Sequence, residues 1–423
     1  MACLAGEMLG VKLSSPLLLA PGQYTTTGSM ISSCAKTIAE NGWGGVVTKT
    51  YFPNSDLLSR PYLWSSPQYR GLAMQNTGPN MQHFCDEEKV RLSESIKVAH
   101  AYGLAVIVSI MGSSFDQWKY LTEEIQQCKA DVLELNLSCP AAVNSIEANR
   151  HGGYQAGQQP EIVAQVTEVV SQNASIPISA KLSPNTADIT VFAKACMENG
   201  AQGVTAINTL QGIIGVDVET GVPLCSDIEK RAFKAGISGP VIKPVGLRMV
   251  ADIAQSIPGI AISATGGICN WRDAVEYLML GAQNVQVCTA VMMRGFSVGK
   301  EILDGLQDFM CRKGYQSLSD FRGMALPYLT TVSKACPSAK ASISQERCIR
   351  CGKCLTACSC AAFQAILKND TAYRVDQARC DGCGLCTVVC PQEAITIGGW
   401  HENVVEKRND CQCRRLVSRR CVN

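Results

Sequence analysis

The sequence predicts an α/β protein: a closed barrel of eight parallel strands, each followed by a helix, with a smaller cysteine-rich domain behind it. Three observations carry this. Eight short runs rich in Val and Ile alternate with longer helical patterns, as parallel strands covered by helices on the outside should. The charged share is 17% and the hydrophobic share 46% over 423 residues, so much side-chain surface must be buried in large cores. Nine of the 23 cysteines crowd between Cys348 and Cys390, where the strand pattern has stopped.

The strands expected are Leu17 to Ala20, Gly45 to Lys49, Ala105 to Ile110, Asp131 to Asn136, Pro177 to Leu182, Gly203 to Asn208, Ile260 to Thr265 and Asn284 to Cys288. Helical patterns such as 87–102, 115–129, 160–173, 188–199, 244–257 and 271–280 fall between them. This eightfold alternation is that of a TIM barrel. A doubly wound open sheet fits less well: it normally needs fewer strands and a Gly-rich first turn that the chain lacks. A barrel's chemistry sits at the carboxyl ends of its strands, and the polar residues stand there. They are Lys49 with Thr50, Asn136 with Ser138 and Cys139, Lys181, Asn208 with Thr209, Gly266 with Gly267, and Thr289.

The expected domains are a barrel over 1–312, a connector over 313–342, a cysteine-rich domain over 343–398, and a basic tail over 399–423. The tail carries Lys407, Arg408, Arg414, Arg415, Arg419 and Arg420 without apolar periodicity, and reads as a solvated extension. Cys411, Cys413 and Cys421 within it are too irregularly spaced for a metal site.

Lys+Arg at 38 against Asp+Glu at 36 gives a net charge of +2, which leaves no global field to hold a nucleic acid or an anionic membrane. No run of about 18 apolar residues occurs, and the first residues lack a secretory pattern, so the chain reads as cytoplasmic. There thiols stay reduced. Dense cysteines are then ligands rather than a disulfide framework.

Cys348, Cys351, Cys354 and Cys358 have the spacing C-x2-C-x2-C-x3-C, and Cys380, Cys383, Cys386 and Cys390 repeat it. This is the arrangement of two-cluster bacterial ferredoxins, in which the fourth cysteine of each run ligates the other cluster. One 4Fe–4S cluster is assigned to Cys348, Cys351, Cys354 and Cys390, the other to Cys380, Cys383, Cys386 and Cys358. Zinc sites or disulfides are the competing readings, and eight cysteines in two identical runs speak against both. The first run departs from the pattern, with Ser359 where Pro391 stands in the second and an extra thiol at Cys360.

Two lysines, Lys49 and Lys181, end buried strands at one mouth and call for something anionic or electron-rich. A flavin fits. A cation near its N1/C2=O edge stabilises the anionic reduced ring, and the glycine turns at Ser238–Gly239 and Ala264–Gly267 can offer backbone N–H groups to a phosphate, which favours FMN.

The strings GWGGVVTKT, VSIMG, ELNLSCP, AKLSPN, TAINT, SGPVIKPVGLR, ATGGI and QVCTAV occur in this order. They resemble the FMN barrel of dihydropyrimidine dehydrogenases and their relatives, the dihydroorotate dehydrogenases. With the two-cluster domain behind it, residues 8 to 398 are most similar to the catalytic subunits of the bacterial NAD-dependent dihydropyrimidine enzymes. The resemblance makes Cys139 the catalytic acid/base, which protonates C5 of a pyrimidine while hydride reaches C6. It makes Asn76, Asn136, Ser138, Asn208 and Thr209 substrate-holding residues. It makes Lys49, Thr50, Lys181, Ser238, Gly239, Gly266, Gly267 and Thr289 contacts of FMN. Asparagine side chains suit the task, since each offers a donor and an acceptor to a ring of alternating C=O and N–H groups. Residues 140–157 read as a lid carrying Cys139.

Two departures bear on the substrate. Thr77, Gly78 and Pro79 follow the first asparagine, closer to the dihydroorotate branch, and Asn149, Arg150, His151 and Tyr154 lengthen the lid. No strand is followed by G-x-G-x-x-G, so electrons from NAD(P)H must enter through another chain. The resemblance implies a partner subunit that binds FAD and NAD(P)H, and a homodimer or a heterotetramer with it. The function expected is reversible reduction of the C5–C6 bond of uracil and thymine. Dihydroorotate oxidation, or reduction of another conjugated cyclic amide, is the second reading. An electron-transfer subunit with a non-catalytic barrel is the third, against which Cys139 and the asparagines argue.

Overall fold

A computed structural model describes residues 3–53, 63–76, 81–138, 157–226, 230–232, 234–330 and 339–398. All eight expected strands are present: β1 (Leu17–Leu19), β2 (Gly45–Val47), β3 (Ala105–Ile110), β4 (Val132–Asn136), β5 (Ile178–Lys181), β6 (Gly203–Ala206), β7 (Ala261–Thr265) and β8 (Asn284–Val287). Each is parallel to its neighbour, and β8 pairs with β1 to close the barrel. The helices α1 (Gly28–Glu40), α2 (Asp86–Ala101), α3 (Phe115–Gln127), α4 (Pro160–Asn173), α5 (Ile189–Glu198), α6 (Lys243–Ser256), α7 (Trp271–Met279) and α8 (Val298–Lys313) follow the strands in turn.

Local chemistry explains the helix starts. Thr27, Ser114 and Asp188 each accept a backbone N–H of the first turn, and Asn270 forms a reciprocal capping box with Asp273. The helices bury their apolar stripes against outward-facing strand residues such as Val106, Val108, Leu133 and Leu135.

The inward faces divide into layers. At the bottom, a hairpin of Gly6–Met8 and Val11–Leu13 puts Met8 and Leu13 against Leu18, Val47, Ala105, Ile107 and Val132. Above this apolar plug the interior is polar: Ser109, Glu134, Ser179, Thr205, Ser263 and Gln286 are all buried. Barrel interiors are normally filled by Val, Ile and Leu, whereas this layer is joined by side-chain hydrogen bonds.

Over the mouth lies a four-stranded antiparallel sheet of Leu210–Gln211, Gly236–Ser238, Met74–Asn76 and Leu63–Trp64, in that order. It delivers Asn76 and Ser238.

The chain divides into two compact units, Met1–Leu329 and Thr330–Asn423. Part of the segment expected as a connector packs on the barrel unit. Tyr315 and Phe321 stack 5.3 Å apart, and Phe321 meets Phe309 of α8 edge-on. In the second unit, strands Ala341–Ile343 and Ile395–Ile397 pair, as do Ile366–Lys368 and Tyr373–Val375. Helices Lys353–Cys360 and Leu385–Val389 each begin inside a cysteine run. No helix among the described residues is long and apolar enough to cross a membrane.

Candidate active site and cluster sites

Lys49, Thr50, Asn76, Asn136, Lys181, Asn208, Thr209, Ser238, Gly239, Gly266, Gly267 and Thr289 line one cavity at the carboxyl ends of the strands. Sheet register explains part of this. Asn136 is paired with Lys181 across β4 and β5, so both reach the mouth together.

Ser138 stands behind the lining, and the amides are held by a continuous network. Asn136 Nδ2 donates to Thr50 Oγ1 at 2.7 Å, and that hydroxyl meets Ser109 Oγ at 3.1 Å. Asn208 Nδ2 donates to Ser138 Oγ at 2.9 Å and to Asn136 Oδ1 at 3.2 Å, while Asn208 Oδ1 accepts from the Thr209 backbone at 2.8 Å. The peptide between Ala206 and Ile207, just before Asn208, is cis. Two amides locked to neighbours on both edges are pre-oriented to present fixed donors and acceptors, so little ordering remains to be done when a ring arrives.

On the opposite side, Thr289 Oγ1 donates to Ser238 Oγ at 3.1 Å. Gly239 has φ +103°, and a Cβ there would lie 2.7 Å from Leu72 O; at Gly267, φ +74°, it would lie 2.9 Å from Gly239 O. Only glycine fits these turns, and both leave backbone bare to the cavity.

Lys181 Nζ donates to Glu134 Oε1 at 3.2 Å, both side chains being buried. Lys49 is anchored through its backbone N–H to Thr25 O at 2.9 Å. Cys288 also lines the cavity, its Sγ 3.3 Å from Pro21 O. Burial pushes its thiol up, with Lys49 and Lys181 pulling the other way.

The donor set fits FMN. There are cations for the electron-rich edge, glycine turns with open backbone for a phosphate, and one unmatched acceptor. Gln286, 1% exposed and part of the lining, has its Nε2 engaged while its Oε1 has no partner. A buried acceptor of that kind asks for a donor from whatever fills the cavity.

Cys139, the lid residues Asn149, Arg150, His151 and Tyr154, and the Thr77–Gly78–Pro79 stretch lie outside the described residues, as does the tail. Sequence reasoning missed Asn185. Its Oδ1 accepts from Gln211 N at 2.7 Å, its Nδ2 donates to Thr209 O at 3.3 Å, and its own carbonyl accepts from Gln158 Nε2 at 3.1 Å. It ties the β5 loop to the β6 loop and to Gln158, the residue just after the expected lid. The signal is present in AKLSPN, where an asparagine follows the strand-ending lysine by four residues. Cys225 was missed too: buried and pushed up to about 11, it points its thiol at Asn76 O from 3.8 Å.

In the second unit the eight thiols surround two hollows. One is lined by Cys348, Cys351, Cys354 and Cys390, the other by Cys358, Cys380, Cys383 and Cys386. These are the crossed sets that the spacing predicts. Among the described residues no three His, Cys, Asp or Glu side chains close on a single ion, whereas a 4Fe–4S cube takes its four thiolates on four separate irons. Backbone N–H groups of Ala365, Ala394 and Ala341 donate to Cys358, Cys390 and Cys380 Sγ at 3.2, 3.3 and 3.4 Å, the kind of contact that tunes a cluster. A pseudo-twofold is visible in the backbone: Gly352 and Gly384 have φ +78° and +82°, Gln364 and Glu393 +48° and +49°. The segment from Cys358 to Ala365 is three residues longer than that from Cys390 to Ala394. Pro391 follows the end of the second helix, while Ser359 lets the first run on through Cys360. Cys360 is therefore exposed and lines neither hollow.

Comparison with known proteins agrees with this geometry. The model of the family described as Dihydroorotate dehydrogenase matches residues 3–310, and that of the 4Fe-4S dicluster domain residues 341–397. The NAD-dependent dihydropyrimidine dehydrogenase subunit PreA of Escherichia coli is 30% identical over 372 residues, 84% of this chain and 85% of that protein. The catalytic subunit of dihydroorotate dehydrogenase B (NAD(+)) of Pyrococcus abyssi is 35% identical over 329 residues, 76% of this chain and 98% of that subunit. Its counterpart in Pyrococcus furiosus is 36% identical over 321 residues, 75% of this chain and 97% of that subunit.

Proposed function

Because the chain belongs to the dihydroorotate dehydrogenase family and carries a 4Fe–4S dicluster domain behind its barrel, we propose that it reversibly reduces the C5–C6 double bond of uracil and thymine. The observation that carries this reading is the locked amide cluster. Asn136 and Asn208, held by Ser138 behind them, share a cavity with Asn76, Thr209 and the two lysines, and among the described residues the lining holds no carboxylate. Such a surface suits a neutral ring of alternating carbonyls and N–H groups. The match to PreA, which extends over both domains, supports the same choice.

In this account Lys49, Thr50, Lys181, Ser238, Gly239, Gly266, Gly267 and Thr289 hold FMN, which when bound supplies hydride to C6 of the ring. The asparagines orient the ring, and Asn185 fixes the loops behind Thr209. Cys139 delivers the proton to C5. An ordinary thiol pKa near 8.5 keeps such a group protonated at neutral pH yet able to release its proton. The eight cluster cysteines carry two 4Fe–4S centres through which a separate subunit binding FAD and NAD(P)H feeds electrons. The setting is cytoplasmic, where thiols stay available as ligands.

Dihydroorotate as substrate is the second reading, favoured by the Pyrococcus relatives and by Thr77–Gly78–Pro79. The test is a panel with reduced viologen dye on the anaerobically purified protein. Turnover of uracil and thymine, with little on orotate, is expected. Turnover of orotate alone would overturn the first reading in favour of the second, and turnover of none would favour a non-catalytic barrel.

A further inference from the structure

The most buried ion pair among the described residues involves a residue to which the function above gives no part. Glu134 is 0% exposed, in the middle of β4 and just below the mouth. Three donors meet its two oxygens: Lys181 Nζ at 3.2 Å on Oε1, and Thr205 Oγ1 at 3.0 Å with Gln286 Nε2 at 3.1 Å on Oε2. Gln286 Nε2 also reaches Ser263 Oγ at 3.0 Å, and Thr205 Oγ1 meets Ser179 Oγ at 2.9 Å. Four further strands thus support one carboxylate.

Stability is a poor reason for this arrangement. A buried ion pair is often no better than apolar residues of the same volume, and those are what barrel interiors normally hold. The position suggests another reason. Among the described residues the cavity lining contains two lysines and no carboxylate, and Glu134 is the acid directly behind one of them. In a site of low polarity a charge so placed is felt by whatever Lys181 touches.

We propose that Glu134 is a positioning residue for the flavin: it fixes the Lys181 ammonium at the mouth and offsets part of its charge, holding the FMN potential below the value an unopposed lysine would set. This rests on FMN occupying the cavity. Lys181 favours the electron-rich reduced ring, and the carboxylate behind it moderates that preference. Gln286 completes the layer, its Nε2 donating to both Glu134 Oε2 and Ser263 Oγ.

The experiment uses the whole chain, purified anaerobically with its cofactors. FMN content, the two-electron midpoint of the flavin by dye equilibration, and the affinity of the oxidised flavin for sulfite are measured for wild type, Glu134→Gln, Lys181→Gln and Thr205→Val. Glu134→Gln should keep FMN, bind sulfite at least tenfold more tightly and raise the midpoint by about 30 mV or more, the equivalent of tenfold in a two-electron couple. Lys181→Gln should shift both the other way. Thr205→Val removes one donor from the carboxylate, strengthens its effect and should lower the midpoint. Should Glu134→Gln not fold, Thr205→Val carries the test. A Glu134→Gln protein with full FMN and an unchanged or lowered midpoint would overturn the inference, as would an unchanged midpoint in Thr205→Val. Wild-type protein that binds no FMN would overturn the reading of the cavity instead.

Discussion

Gly236 offers a test of the mouth geometry that separates site from fold. It lies in the mouth sheet, and a methyl placed on it would overlap Thr209 Oγ1, approach Thr209 Cβ to 2.5 Å and come within 3.0 Å of Asn76 Oδ1. The backbone there is extended, so Gly236→Ala adds no left-handed strain, and the cost falls on two side chains assigned to the substrate. Overpacking of this kind costs about 1–3 kcal/mol. If the cost is met by displacing Thr209 and Asn76, kcat/KM should fall about five- to 150-fold, at 1.36 kcal/mol per tenfold. Melting should drop by no more than about 2–4 °C per kcal/mol. The assay is steady-state reduction of uracil with a viologen donor, beside FMN content and a thermal melt. Gly221→Ala is the control, since nothing lies within 4 Å of its added methyl and its φ of +71° adds only turn strain. Wild-type kcat/KM in Gly236→Ala, or an equal loss in the control, would refute the assignment of Thr209 and Asn76 to the substrate.

Other substitutions probe the remaining parts. Cys139→Ala should lower turnover by about 10²-fold or more while FMN content and cluster spectra stay unchanged, which absorption and stopped-flow measurements would check. Gly239→Ala should release FMN, because its Cβ would meet Leu72 O at 2.7 Å and force a backbone with φ +103° to move; flavin quantification after gel filtration reads this. Cys390→Ser should alter the cluster held by Cys348, Cys351 and Cys354, and Cys358→Ser the other. Cys360→Ser should alter neither, as judged by electron paramagnetic resonance of the reduced protein.

Legibility followed burial. The eight strands were found within one or two residues because barrel strands are buried on both faces and read as short runs rich in Val, Ile and Leu, even where single polar residues face inward. The cysteine sets were legible because the repeated spacing is that of two-cluster ferredoxins, in which the fourth cysteine of each run crosses to the other cluster. The mouth sheet was not, since strands such as Leu63–Trp64 and Leu210–Gln211 are too short to show any alternation. Glu134 was overlooked inside ELNLSCP although its signal was there. A charged residue alternates with Leu133 and Leu135 in a buried strand, on the inward face it shares with Asn136. The first half of the expected connector packs through Tyr315 and Phe321, two aromatics whose partners on α7 and α8 no local pattern reveals.

The central claim is that this chain seats a flavin beside its lysines and wires it to two iron–sulfur cubes. Quantifying iron, acid-labile sulfide and released flavin in anaerobically purified protein, with the absorption spectrum before and after reduction, tests it most directly. The account predicts FMN together with iron and sulfide for two 4Fe–4S clusters, and bleaching of both chromophores on reduction. A folded, colourless protein without iron or flavin would contradict it.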